Sequence, residues 1–296
     1  MFRNAYLRKA LILVAHLLAT SHIFLWIASS GVAFAQSQTE SPSSKDFTRI
    51  MGAEDNEIAD PGAPLASGQS DPLALQAITA FLAAVNGRAW SGMQATGTLT
   101  SPEAPQSQNP AVLTIKDGDS FRLDVNTTTG QRSTRIHGTS GIIQESNGTK
   151  HTLPPATALD GLFAFPQLMM ITFPDAQTSV LDRGTVAING RSLHRISVQH
   201  TFSTEATSVT VTQPTIVDLY FDPTTHLLLK SAAWIQVDTA DRAKYLQVVT
   251  YGDYQTVNGI VLPFSYSQTL NGQRQWSLQL TNIQLSPAVE TSLFTF

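Results

Sequence analysis

The stretch of sequence that decides the fold is residues 251–296, YGDYQTVNGIVLPFSYSQTLNGQRQWSLQLTNIQLSPAVETSLFTF. It holds three strand-like runs separated by two Asn-Gly pairs, Asn258-Gly259 and Asn271-Gly272. Because Asn and Gly both tolerate positive φ, an Asn-Gly pair between alternating runs is a strong β-hairpin signal. The stretch therefore predicts an antiparallel meander of three strands.

The alternation of apolar and polar residues also predicts a register for the last hairpin. A two-residue loop at Asn271-Gly272 would mix apolar and polar side chains on each face. A three-residue loop, Leu270-Asn271-Gly272, gives one apolar and one polar face, as a sheet covered on one side requires. We predict this loop, which pairs Phe264 with Leu278 and Tyr266 with Trp276.

The same rule predicts two further three-residue loops, Val257-Asn258-Gly259 and Lys116-Asp117-Gly118. The expected pairs are Tyr254 with Leu262 at the first loop, and Leu113 with Phe121 and Ala111 with Leu123 at the second. Residues 101–110 contain three prolines and no apolar period, so a loop is predicted there. Similar runs along the chain indicate about 11 strands, antiparallel throughout.

Composition limits the classes of protein to which the chain can belong. The chain has 296 residues, of which 42% are hydrophobic and 14% charged, as is typical of a globular protein. It contains no cysteine, which excludes disulfides, thiolate metal sites and a nucleophilic thiol. Without its first 35 residues the chain has 15 basic and 22 acidic residues, a net charge of −7. This balance disfavours binding to nucleic acid or to anionic lipid headgroups.

The amino terminus has the pattern of a secretory signal peptide. Three basic residues precede an apolar run over residues 10–27, and Ala33-Phe34-Ala35 is a small-x-small cleavage site. The alternative is an uncleaved anchor, because the run is near the length that spans a bilayer. We predict a signal peptide over residues 1–35 that is cleaved after Ala35, a periplasmic or secreted location, and no transmembrane segment in the mature chain.

The remaining chain divides into a linker and one domain. Residues 36–70 are rich in Ser, Pro, Gly and acidic residues, so we predict a disordered linker there and a folded domain over residues 71–296. Asp71 as N-cap, Pro72 at the first helical position and Asn86-Gly87 as a stop predict a helix at the start of that domain.

Residues 154–173, PPATALDGLFAFPQLMMITF, break the alternation of the strands. They are strongly apolar and Met-rich, and they predict one or two short helices that lie over the sheet. One interpretation is a connection that fills the core. The other is a movable lid over an apolar cavity, because neighbouring Met side chains adapt to irregular ligands.

Motifs that carry chemistry do not occur in the sequence. The H-E-x-x-H, G-x-S-x-G, Walker and G-x-G-x-x-G patterns are all absent. His194 and His200 are predicted on one strand, about 20 Å apart at the rise of a β-strand, which is too far to share a metal ion. Asp238-Thr239 resembles half of an aspartic-protease signature, but that chemistry needs two carboxylates. We therefore predict no catalytic residue, no cofactor and no metal site.

Several segments together resemble the periplasmic lipoprotein-carrier superfamily, the LolA/LolB-like proteins. They are the early helix from Pro72, the run from Ser120 to Asp124, the turn at Asp222-Pro223-Thr224-Thr225, the meander from Asp253 to Gln273, and the tail Leu293-Phe294-Thr295-Phe296. The resemblance implies a strongly curved antiparallel half-barrel whose concave face is covered by short helices, with an apolar cavity between them. Carriers of this superfamily also use a sheet arginine. Arg122 lies in the corresponding region, and by alternation it points away from the face of Phe121 and Leu123.

These observations predict an α+β, mainly β, exported protein without enzymatic activity that binds an apolar ligand. The expected ligand is an acyl chain, a lipid or an acylated protein, and the expected state is a monomer with an envelope protein as a further partner. The expected lining is Phe163, Phe165, Met169 and Met170 from the lid, with Phe264, Tyr266, Trp276 and Leu278 from the sheet. The alternatives are an interaction or sensor domain with a solid core and, third, a hydrolase that depends on Asp238.

Overall fold

A computed structural model describes residues 70–87, 91–102, 104–163, 178–206, 209–236 and 244–296. Its helices are α1 (Pro72–Ala84) and α2 (Pro155–Phe163), with a 3-10 turn at Thr291–Phe294. Its strands are β1 (Gly92–Ser101), β2 (Ala104–Lys116), β3 (Ser120–Thr127), β4 (Gly130–His137), β5 (Ser140–Gln144), β6 (Lys150–Leu153), β7 (Thr178–Ile188), β8 (Arg191–Ala206), β9 (Val209–Phe221), β10 (Leu228–Gln236), β11 (Lys244–Val257), β12 (Ile260–Leu270) and β13 (Gln273–Leu285). The predicted signal peptide and all but the last residue of the predicted linker lie outside the described residues.

The strands form one antiparallel sheet in the order β6-β5-β4-β3-β2-β1-β13-β12-β11-β10-β9-β8-β7. The last strand of the chain, β13, therefore lies between β1 and β12 and joins the two halves of the sheet. The prediction of a mainly antiparallel β fold is confirmed. The prediction of about 11 strands is wrong, because the described residues form 13.

The last hairpin differs from the predicted one in its turn but keeps the predicted faces. Leu270 pairs with Gln273, so the loop has two residues, Asn271 and Gly272, with φ of 48° and 76°. The third residue predicted for the loop is replaced by an unpaired residue within β13. Gln268 and Thr269 are consecutive in β12, but they pair with Trp276 and Arg274, so that Gln275 between them has no partner on β12. This β-bulge at Gln275 restores the alternation beyond it, so that Tyr266 faces Leu278. The three-residue loop and its pairs are wrong.

The other two predicted loops are also displaced. Val257 pairs with Ile260, so Asn258 and Gly259 form a two-residue loop that sets Tyr254 opposite Pro263. Lys116 pairs with Ser120, and the three-residue loop is Asp117–Asp119, one position later than predicted. The cause is that Asp117 itself adopts positive φ, at 52°. Leu113 therefore faces Leu123, and Ala111 faces Val125.

The proline-containing segment before residue 111 is part of a strand, which corrects the predicted loop. β2 begins at Ala104, and Pro110 pairs with Thr98 of β1. The pairing of β2 with β3 begins only at Ala111. Residues 104–110 thus have a neighbouring strand on one side only, and proline is tolerated at such an edge because its missing N–H is not needed.

The predicted first helix is confirmed. The Asp71 carboxylate accepts a hydrogen bond of 2.8 Å from the Leu73 N–H, and Asn86 ends the helix with φ of 51°. The buried side chains of α1 and of its C-cap are those of Ala74, Ile78, Phe81 and Val85. They join the main apolar cluster, in which the rings of Phe81 and of Phe221 in β9 lie 5.4 Å apart. Just before the helix, Ser70 forms a parallel bridge with Val180 of β7.

The position of α2 shows how strongly the sheet curves. This nine-residue helix contacts β4 and β5 in one half of the sheet and β9 and β10 in the other. Seven strand spacings separate β4 from β10, roughly 34 Å in a flat sheet at about 4.8 Å each. Since nine helical residues span only about 13 Å, the sheet curves around α2. The face that carries the main apolar cluster is therefore the concave one.

The tail of the chain packs on the opposite, convex face of β3 and β4. Arg122 donates a hydrogen bond of 3.0 Å to the Leu293 carbonyl, and Arg135 donates one of 3.0 Å to the Thr295 carbonyl. Between these two contacts the Phe294 side chain is buried at 3% exposure. The predicted orientation of Arg122, away from the apolar face, is confirmed.

The Asp222 side chain organises the turn between β9 and β10. Its carboxylate accepts hydrogen bonds from the backbone N–H groups of Thr225 at 2.7 Å and Thr224 at 3.0 Å. The Arg191 guanidinium donates another at 2.5 Å. The Thr225 N–H is the largest influence, and together these donors outweigh burial and lower the pKa of Asp222 to about 2.

We expect Phe294→Ala to lower the free energy of unfolding by about 3 kcal/mol, the usual cost of removing a buried aromatic ring. The matched control is Phe296→Ala, because Phe296 is 51% exposed and its loss should cost less than about 0.5 kcal/mol. Urea unfolding followed by fluorescence measures both. Equal effects of the two substitutions would show that the tail does not hold the convex face.

We expect acid to destabilise the wild type more than Asp222→Asn. The folded-state pKa of Asp222 lies below the value of about 3.9 in unfolded chains. The carboxylate therefore contributes stability above about pH 4, and this contribution is lost as the pH falls toward 2. Urea unfolding of both proteins between about pH 5 and about pH 2 tests this sign. Parallel curves for the two proteins would contradict it.

Candidate functional site: the concave face of the sheet

The four predicted sheet residues of the lining lie together on the concave face. Phe264 and Tyr266 alternate along β12, Trp276 and Leu278 alternate along β13, and Tyr266 pairs with Leu278. We call these four residues the wall. Their exposed fractions are 6% for Phe264, 1% for Leu278 and 0% for Tyr266 and Trp276. Of the predicted lid residues, Phe163 is the last residue of α2, and Phe165, Met169 and Met170 lie outside the described residues.

The polar atoms of the wall are hydrogen-bonded within the protein. The Tyr266 hydroxyl donates to the Pro263 carbonyl at 3.0 Å, and the Trp276 indole N–H donates to the Gln268 side-chain oxygen. Buried polar groups that find a partner in the protein make no demand on a ligand. The wall therefore presents only apolar ring faces and an aliphatic side chain to whatever packs on it.

Two neighbouring tyrosines extend this arrangement on β11. The ring of Tyr251 lies edge-on to that of Tyr266, with centroids 5.9 Å apart. Its hydroxyl is 2.6 Å from the Ser231 hydroxyl, and the Tyr254 hydroxyl donates to the Leu228 carbonyl at 2.5 Å. Burial raises the pKa of both Tyr251 and Tyr254. Both phenols therefore stay protonated and hydrogen-bonded, which does not suit them to act as bases.

A row of side chains runs from the wall across the sheet to β4. Gly97 of β1 pairs with Leu280 of β13 and with Ala111 of β2. Ala111 pairs with Val125 of β3, which pairs with Arg132 of β4. Ser265 pairs with Gln279, so Phe264 of the wall stands beside Leu280 at the other end. We call Arg132, Val125, Ala111, Gly97, Leu280 and Phe264 the cross-sheet row.

Arg132 is the charged member of this row, and it is not among the site residues predicted from the sequence. Its side chain is only 11% exposed, and its Nε lies 3.3 Å from Glu145 Oε2. The second terminal nitrogen, Nη2, is buried and has no hydrogen-bond partner. Burial lowers the pKa of Arg132, and the Glu145 carboxylate opposes this effect. The available signal was the alternation of Arg132 with the buried residues Thr134 and Ile136 of the same strand.

Other charged groups form pairs away from the wall. His194 Nε2 lies 2.9 Å from Asp182 Oδ1. Burial alone would raise the pKa of Asp182, but the hydrogen bond from the Gly184 N–H and the neighbouring His194 outweigh it, so this pKa is lowered. Arg195 and Ser197 donate hydrogen bonds to Asp218, whose pKa is nevertheless raised by burial. Among the described residues, no three His, Cys, Asp or Glu side chains converge as metal ligands. In the same part of the chain no helix is long and apolar enough to cross a membrane.

A substitution at Gly97 tests whether the cross-sheet row depends on the close approach of β1 and β13. A Cβ atom at Gly97 would lie 2.1 Å from the Gln279 carbonyl oxygen, so Gly97→Ala forces β1 and β13 apart. We expect a loss of about 2–3 kcal/mol of unfolding free energy. Gly252→Ala is the matched control, because its Cβ would meet nothing nearer than 3.9 Å. A neutral Gly97→Ala in urea unfolding would contradict the close packing of the row.

Comparison with known proteins gives similarity in structure only. No family model matches the sequence, and no curated protein matches it. A solved outer membrane lipoprotein-sorting protein domain from Vibrio parahaemolyticus is similar at 12% identity and a TM-score of 0.49, over 75% of this chain and 96% of that one. A LolA superfamily protein from Nitrosomonas europaea is similar at 10% identity and a TM-score of 0.46, over 74% of this chain and 97% of that one.

A DUF1329 family protein from Desulfovibrio piger is also similar, at 8% identity and a TM-score of 0.47, over 76% of this chain and 98% of that one.

Proposed function

We propose that this chain is an exported, non-enzymatic protein that binds the acyl chain of a lipid or of an acylated protein between the concave face of the sheet and α2. The observation that carries the proposal is the wall: Tyr266 and Trp276 have their polar atoms hydrogen-bonded to the protein. A surface of this kind favours an apolar ligand. It has no free polar group to bind a polar ligand, and such groups are what gives pockets their specificity for polar ligands.

The energetics suit such a ligand. Removing a 12-carbon chain from water contributes on the order of 10 kcal/mol gross, at about 0.8 kcal/mol per methylene. The loss of free motion of the ligand and the ordering of side chains offset a large part of this gain. The remainder is consistent with reversible binding, as a carrier needs.

Entry of a ligand requires movement, because the wall residues are at most 6% exposed. Displacement of helix α2 would open part of the concave face, since this helix contacts both halves of the sheet. It rests directly on β4: a Cβ atom at Gly161 would lie 2.7 Å from the Ile136 side chain. Because Gly161 has no side chain, the backbone of α2 lies close to β4 at this position. The position of α2, in contact with both halves of the sheet, supports the lid interpretation of the segment that begins at residue 154.

The same burial favours a second candidate, an interaction or sensor domain with a solid core. In that case Trp276 and Tyr266 are ordinary core residues, and a partner of the cell envelope binds on the convex face or at a sheet edge. The two candidates differ in one measurable respect: only the first has a saturable apolar site.

Binding of a fluorescent apolar probe, N-phenylnaphthylamine, to delipidated protein separates the two candidates. We expect saturation at about one probe per chain, displacement by monopalmitoylglycerol, and a thermal midpoint that rises with ligand concentration, since a ligand of the native state stabilises it. Native mass spectrometry of protein from its own host should show a co-purifying lipid mass. Absence of saturable binding to the folded protein would establish the solid core instead.

Matched variants connect the binding to the wall. Leu278→Trp fills space beside Tyr266 and should weaken probe binding at least tenfold. Leu246→Trp, in the second apolar cluster away from the wall, should lower stability without changing probe affinity. Equal affinities in Leu278→Trp and wild type would move the site away from the wall.

A further inference from the structure

We propose that Arg132 determines ligand specificity by donating a hydrogen bond from Nη2 to the carbonyl oxygen of an esterified acyl chain. The inference rests on the proposed function, because it assigns the polar end of the ligand that the wall would bind. Arg132 lies on the same concave face as the wall, at the other end of the cross-sheet row.

The cross-sheet row has a length that matches a long acyl chain. From β4 to β12 there are five strand spacings, or about 24 Å along the sheet surface, comparable with a long acyl chain. Ala111 and Gly97 lie in the middle of the row. The side chain of Ala111 is only a methyl group, and Gly97 has no side chain. Val125 and Leu280 rise on either side of them, buried at 7% and 2% exposure. A chain that follows the row therefore meets apolar surface along its length and Arg132 at its end.

The state of Arg132 indicates a hydrogen-bond acceptor as the missing partner. An arginine can donate five hydrogen bonds, and Nη2 makes none while it is inaccessible to solvent. Leaving a buried donor unpaired is unfavourable, and each such group in a folded protein requires an explanation. An acceptor on a bound ligand supplies one.

The charge around Arg132 selects the kind of acceptor. Glu145 Oε2 already lies 3.3 Å from Nε and balances the positive charge of the guanidinium. A second carboxylate at Nη2 would give the buried group a net negative charge, which a low-dielectric site disfavours. A neutral carbonyl oxygen accepts the hydrogen bond without that penalty. The site therefore favours an ester over a free fatty acid.

The test compares two ligands that differ only in the carbonyl group: monopalmitoylglycerol and its ether analogue, 1-O-hexadecylglycerol. Wild-type protein should bind the ester about tenfold more tightly, the usual effect of a hydrogen bond from a charged donor. Arg132→Met should bind both with equal affinity. Glu145→Gln, which leaves the arginine charge unbalanced, should shift the preference toward palmitate. Arg122→Met, on the convex face, is the matched control and should keep the wild-type preference.

A second variant guards against loss of folding. Arg132→Lys keeps a positive charge beside Glu145 but lacks Nη2, so it too should lose the preference for the ester; thermal unfolding confirms that each variant is folded. Equal binding of ester and ether by the wild type overturns the inference and leaves the proposed function intact. Failure of both ligands to bind overturns both.

The esterified chain has two sources, and a third ligand separates them. A synthetic peptide with an S-diacylglyceryl cysteine carries the same ester carbonyl as monopalmitoylglycerol. Tighter binding of the peptide indicates an acylated protein, and tighter binding of the glycerol ester indicates a free lipid. Either result depends on Arg132 in the same way.

Discussion

The structure depends on the alternation of side chains along β13, the strand that joins the two halves of the sheet. Trp276, Leu278 and Leu280 follow each other at intervals of two, and Ile283 comes three residues later, yet all four belong to the main apolar cluster. This is achieved because β13 holds two extra residues, Gln275 and Thr281, which have no counterparts on β12 and β1. Without them, a shift by one residue would turn half of the strand's apolar side chains to the convex face.

These two irregularities also contribute to the curvature of the sheet. A β-bulge bends its strand and increases the local twist, and both bulges lie at the centre of the sheet, where β13 meets its neighbours. The close approach of Gly97 to the Gln279 carbonyl marks the second of them. The curvature between them lets β4 and β10, distant in strand order, both contact α2. The same feature that keeps the wall on one face therefore also contributes to the curvature of the sheet around α2.

The sequence predicted features that depend on a few adjacent residues. The caps of α1, the positions of the Asn-Gly turns and the common face of Phe264, Tyr266, Trp276 and Leu278 are examples. It failed where residues distant in sequence decide the outcome. The bulge at Gln275 is set by the pairing across the whole hairpin, and the strand at residues 104–110 by where β3 ends. Arg132 was missed for the same reason, because a missing hydrogen-bond partner is a property of its surroundings.

A buried donor without an acceptor bears on the balance between stability and binding. The unpaired Nη2 of Arg132 costs about 1–3 kcal/mol in the ligand-free protein, since the group has lost its water and gained nothing. A solid core designed only for stability gains by replacing such a residue with an apolar one of similar size. A binding site gains by keeping it, because the ligand's acceptor recovers the cost at the moment of binding. The wall differs from Arg132 in this respect, because the polar atoms of Trp276 and Tyr266 are hydrogen-bonded within the protein and both residues contribute only apolar surface. Together they divide the concave face into a long apolar part and one polar end, which is the division of an acyl ester itself.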